Sequence, residues 1–137
     1  KDKKFIQKMM QQIKNGSNEL FVVNDKLGTP TYTHDFANNV KVLLEKELWG
    51  LYNMVCGGIT GRLEVAEELV KILKLHDSVK VTPVDSSYFK KEYYAERPPS
   101  ERLLDTKLNL RQANIMRDWK VCLEEYIQNY YEGYLNN

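Results

Sequence analysis

The sequence predicts an α/β fold of helices and short strands, on three observations. Short apolar runs rich in β-branched residues alternate with longer stretches whose apolar residues recur every three or four positions. Glycine, proline and asparagine punctuate the boundaries between them. The 137 residues suffice for one domain that buries roughly two-thirds of its unfolded surface, and are too few for two full domains.

In chain order, Phe5, Ile6, Met9, Met10 and Ile13 stripe one face of a helix over Asp2 to Lys14, which Asn15-Gly16 ends. Leu20 to Val23 reads as a buried strand running into a turn-rich loop, Asn24 to Pro30. Thr33 is placed to cap a second helix, with Asp35 in its first turn and Phe36, Ala37, Val40, Leu43 and Leu44 on one face. Trp49-Gly50 breaks that helix. Leu51 to Cys56 is a mostly apolar run bounded by glycines, the pattern of a strand covered on both faces. Thr60 opens a third helix that turns Leu63, Ala66, Leu69, Val70 and Leu73 to the core and Arg62, Glu64, Glu67, Glu68 and Lys71 to water. A strand over Val79 to Val84 follows. Tyr88 to Arg102 is irregular, rich in aromatic and polar groups, and suits a ligand surface. Trp119, Cys122, Leu123, Tyr126, Ile127 and Tyr130 then stripe a closing helix started by Asp118.

Charge and composition exclude several classes. Twenty basic and nineteen acidic side chains leave a formal charge of +1, which offers no footprint for nucleic acid or an anionic membrane. No apolar run has the length of a membrane span and no signal series opens the chain, so a soluble cytoplasmic protein is expected. The chain begins at Lys1 and enters a helical pattern almost at once, as though cut from something longer. Cys56 and Cys122 lack metal spacing and sit in apolar segments, which predicts buried free thiols. His34 and His76 have no acidic or cysteine partner at ligand spacing and read as surface residues, so no metal site is expected. Gly57-Gly58-Ile59-Thr60-Gly61 is neither a dinucleotide fingerprint nor a P-loop, and reads as the turn that leads into a helix.

Two clusters carry chemistry. Asp25 to Thr33 (DKLGTPTYT) sets Gly28 and Pro30 in a rigid loop at a strand's end, with Thr29, Thr31, Tyr32 and Thr33 presenting hydroxyls, and open α/β sheets bind ligands at such ends. Arg97-Pro98-Pro99-Ser100-Glu101-Arg102 holds a guanidinium at a stiff turn, suited to bidentate contact with a diphosphate. Turn chemistry accounts for the first cluster, and a surface ion pair for the second, about as well.

The order and spacing of these pieces resemble the C-terminal half of the dTDP-4-dehydrorhamnose reductase family of extended short-chain dehydrogenases. The likeness runs through KFIQKMMQQIKNGSNELFVVNDKLGTPTYTHDFANNV, LWGLYNMVC, Leu63-Glu64-Val65-Ala66, the Arg97-Pro98 turn, Leu103-Leu104-Asp105-Thr106-Lys107-Leu108, and Trp119 with Leu123. Lys26 departs from the family's usual glutamine, and Ser100-Glu101-Arg102 from its usual Asn-Ser pair. The resemblance implies the C-terminal substrate-binding part of a Rossmann-type fold over residues 1–137, with the N-terminal dinucleotide-binding domain and its Tyr-x-x-x-Lys catalytic pair absent from this chain. It further implies a nucleotide-sugar substrate contacted by Gly28, Thr29, Pro30 and Thr31 on the sugar side and Arg97 on the diphosphate side. No catalytic residue is implied here. NADPH or NADH would serve the full-length enzyme and would not bind this chain alone, which could self-associate. A regulatory subunit of the same family, an epimerase or dehydratase acting on another nucleotide sugar, and an unrelated stand-alone α/β module stay open as alternatives.

Overall fold

The computed structural model describes residues 5–89 and 98–135. Five helices and two strands follow in the order α1 (Phe5–Lys14), β1 (Glu19–Val23), α2 (Thr33–Glu45), α3 (Arg62–Ile72), β2 (Lys80–Val84), α4 (Thr106–Leu110) and α5 (Trp119–Tyr131), with a single 3-10 turn at Ser86–Phe89. The strands pair in parallel, Glu19 opposite Lys80 through to Val23 opposite Val84. Pro83 sits within β2 without breaking it, because a strand with one open edge has N–H positions that need no ladder partner.

α3 packs against both strands and against α5. Its buried Val65, Ala66, Leu69 and Val70 meet Met9 and Met10 of α1, Leu20 and Val22 of β1, and Trp119, Cys122, Leu123 and Ile127 of α5 in one apolar core. A smaller cluster gathers Leu43, Leu108 and Ala113, with Leu48, Tyr52 and Met54 against it. The helix over 62–72, the closing helix and both strands form within two residues of the expected boundaries, and the first helix ends at Lys14 as expected, its expected start at Asp2 lying outside the described residues.

Three local expectations are corrected. Leu51 to Cys56 forms no strand: it runs extended with no ladder neighbour among the described residues. Side chains hold it instead, since Val55 N–H donates to Asp105 Oδ1 at 3.1 Å, Lys107 Nζ to Leu51 O at 3.0 Å and Asn53 Nδ2 to Leu104 O at 3.2 Å. At α2, Tyr32 occupies the N-cap position with no side-chain bond, and Thr33 is already helical. The buried residues of α2 are Asp35, Asn39 and Leu43, while Phe36, Ala37 and Leu44 are exposed. Polar pairing turns the helix this way: Asn39 donates to Ala113 O at 3.0 Å and accepts from Ile115 N–H at 2.8 Å. Finally, the short helix α4 forms where the sequence showed only a leucine-rich stretch. No helix among the described residues is long and apolar enough to cross a membrane.

Candidate functional site

The loop that follows β1 is fixed almost entirely through its backbone. Asn24 N–H donates to Val84 O at 3.0 Å and so extends the strand pairing by one residue. The Asp25 carboxylate accepts from Ser86 Oγ at 2.8 Å, which holds its pKa below the usual carboxylate range. Leu27 then joins three distant segments. Its N–H donates to Pro99 O and its carbonyl accepts from Glu101 N–H, both at 2.9 Å, and it bridges antiparallel to Gly61. Gly28 N–H donates to Thr60 O at 3.1 Å, Thr29 Oγ1 to Gly58 O at 3.2 Å, and Tyr32 N–H to Cys56 Sγ at 3.3 Å.

Two glycines make these approaches possible. A Cβ on Gly61 would lie 3.0 Å from Lys26 O, so a bare backbone there lets the loop close onto the start of α3. Gly58 has φ +97°, and a Cβ on it would sit 2.6 Å from Trp119 Cδ1. The Gly57–Gly61 turn is therefore closed by the chain's own indole.

With its backbone committed, the loop turns its side chains onto a cavity of about 490 Å³, a size suited to a small-molecule ligand. Gly28, Thr29, Pro30 and Thr31 line one wall together with Lys26, Leu27, Tyr32 and Thr33. Phe5 and Ile6 of α1, Val65 of α3, and Trp119, Leu123 and Tyr126 of α5 give an apolar surround, joined by Cys56 and Cys122. Gly61, Arg62 and Glu101 complete it. The structure thus brings the four predicted loop residues to one cavity. Arg97 lies outside the described residues, although Pro99, two positions on, is the acceptor for Leu27.

Joined to the cavity wall through Cys122 is an ion-pair network around the buried Asp35. Asp35 takes a forked contact from Arg117, Nη2 to Oδ1 at 2.6 Å and Nε to Oδ2 at 3.0 Å, plus the Arg117 N–H at 3.1 Å. Arg117 Nη1 also pairs with Glu125 at 2.6 Å. The guanidinium holds the Asp35 and Glu125 carboxyls below their ordinary range, and the two acids raise the guanidinium in turn. The Cys122 thiol donates to Asp35 Oδ2 at 3.3 Å, and burial pushes the pKa of Cys122 and of Cys56 upward. Protonated, enclosed thiols are poor nucleophiles, so both act as walls. His34 is exposed and hydrogen-bonded to the Tyr130 hydroxyl at 2.7 Å, and His76 is exposed beside Asp77. No group of three or more metal-capable side chains gathers among the described residues.

Lys26 and Glu101 belong to the two candidate clusters without having been singled out, whereas Arg62 was expected to face water. The three come from separate segments, and only the Leu27 crossing, invisible to local pattern, unites them.

The family model described as the RmlD substrate binding domain matches residues 1–132. The chain belongs to that family. The RmlD substrate-binding fold is shared with solved dTDP-4-dehydrorhamnose reductases. That from Clostridium acetobutylicum ATCC 824 is 33% identical with a TM-score of 0.81, over 90% of this chain and 43% of that one. That from Yersinia enterocolitica is 29% identical with a TM-score of 0.82, over 95% of this chain and 44% of the other. A third, from Bacillus anthracis str. Ames in complex with NADP, is 24% identical with a TM-score of 0.80 over 95% and 44%, a likeness of fold. The spore coat polysaccharide biosynthesis protein SpsK of Bacillus subtilis (strain 168) is 29% identical over 90% of this chain and 41% of its own length. The chain therefore spans less than half the length of each of these relatives.

Proposed function

We propose that this chain is the substrate-binding part of an NADPH- or NADH-dependent reductase of a 4-keto nucleotide sugar, of the dTDP-4-dehydrorhamnose type. The dinucleotide-binding half would belong to the rest of the full-length protein. The observation that carries this reading is the cavity itself, whose wall is built from the GTPT segment of the family-like loop. Thr29, Thr31 and Thr33 offer hydroxyls for sugar oxygens, and Pro30 stiffens the segment that presents them. The apolar surface of Val65, Trp119 and Leu123 suits a deoxysugar, in which a methyl stands where the parent sugar has a hydroxymethyl.

No proton or hydride step is assigned to this chain, whose described cavity residues hold no poised acid, base or nucleophile. Both reducing cofactor and proton donor are placed in the other half. A role in polysaccharide precursor synthesis accords with what the Bacillus subtilis relative is named for. Supplying the full-length gene product with dTDP-4-dehydrorhamnose and NADPH should consume the reduced nicotinamide in step with substrate. Absence of turnover with that and every other 4-keto nucleotide sugar tried would overturn the assignment.

A further inference from the structure

Arg62 is oddly placed for a surface cation. It is the first residue of α3, where the helix dipole disfavours positive charge. It is half-buried, it lines the cavity, and it makes no hydrogen bond or ion pair among the described residues. The antiparallel bridge between Leu27 and Gly61 sets its neighbour Lys26 directly across from it, and Lys26 lines the same cavity. Close approach of the two backbones is permitted by Gly61, whose Cβ would lie 3.0 Å from Lys26 O. Glu101 is on the same wall, so the charged lining of the cavity is two cations and one carboxylate.

A half-buried guanidinium that has no partner among the described residues and lines a ligand-sized cavity beside a second cation suits an anion. We propose that Lys26 and Arg62 form a clamp for the phosphate groups of the bound nucleotide, with the guanidinium as the principal contact. The proposal rests on reading the cavity as a nucleotide-sugar site. It adds to that reading a binding determinant outside the GTPT segment, formed by a lysine where the family usually has glutamine and by a residue on a different helix.

The clamp is tested with the full-length gene product, unsubstituted and as Arg62→Met, Arg62→Lys and Lys26→Met. Calorimetric titrations would use dTDP, thymidine and inorganic pyrophosphate, and thermal midpoints would be taken without ligand. Arg62→Met should bind dTDP at least about tenfold more weakly, as expected for loss of a charge-assisted contact, with Arg62→Lys in between and thymidine unaffected. Without ligand, its thermal midpoint should match or exceed that of the parent, because the substitution removes no hydrogen bond or ion pair among the described residues. A lower midpoint would show that Arg62 has a structural partner, and would overturn the clamp. If parent and Arg62→Met bind dTDP equally, the clamp falls while the nucleotide-sugar reading stands. If the parent binds pyrophosphate but not dTDP, and Arg62→Met loses it, the clamp stands and the thymidine nucleotide falls. Failure of the parent to bind any of these phosphates overturns both.

Discussion

Asp35 and Asp105 are buried carboxyls whose environments push them in opposite directions. Arg117 holds the pKa of Asp35 below its ordinary value. This stabilising contribution is complete above the ordinary aspartate pKa, near 3.9, and is lost as pH falls through the lower folded value. Asp105 is raised by burial, against the opposing bonds from Val55 and Asn114. It costs stability at neutral pH, and the cost disappears as pH drops from its folded pKa toward the ordinary one. Asp105→Asn, which keeps an acceptor for Val55 N–H, should therefore abolish a gain in stability that the parent shows on mild acidification. Denaturant midpoints across acidic pH would reveal this, and identical pH profiles would refute it. Arg117→Met leaves the Asp35 carboxylate buried without its counterion. Since Arg117 is itself 41% exposed, solvent screening reduces the expected loss to about 2–3 kcal/mol, measurable by urea unfolding. Gly58→Ala combines a left-handed φ with a collision against Trp119, and should cost about 2–4 kcal/mol by the same measurement.

At the scale of elements, what the sequence made legible was local. α1, α3 and α5 announce themselves through apolar residues at helical spacing, and β1 and β2 through short β-branched runs. Leu51 to Cys56 has the composition of a buried strand, but composition does not supply a pairing neighbour, and Leu51 is 88% exposed. The inward positions Asp35 and Asn39 of α2 were not legible, because their partners Arg117, Ala113 and Ile115 lie more than seventy residues away. The GTPT loop was readable from its turn chemistry, whereas Arg62 entered the site only through the Leu27–Gly61 bridge. That bridge is also where the loop is most easily disturbed. Gly61→Ala must push Lys26 O outward by a few tenths of an ångström. It should weaken dTDP binding by more than its small effect on the thermal midpoint implies. Unchanged affinity would mean that the loop tolerates displacement and that its position is not what the ligand reads.

Across the whole molecule, several large apolar side chains are exposed, among them Leu51 and Leu104 of the segments joined by the Lys107–Leu51 and Asn53–Leu104 bonds, and Trp49 and Leu110. Exposed apolar surface promotes association. The 137-residue chain should self-associate in solution, and Leu51→Lys combined with Leu104→Lys should shift it toward monomer. A parent chain that light scattering finds monomeric at all concentrations would contradict this. The central claim is that a sugar nucleotide sits between the GTPT loop and the start of α3, and amide hydrogen exchange of the full-length gene product with and without dTDP tests it most directly. The account predicts ligand-induced protection in peptides covering residues 26–33 and 58–63, with residues 76–84 unchanged. Protection that leaves both of the first two segments untouched while appearing elsewhere in the chain would contradict it.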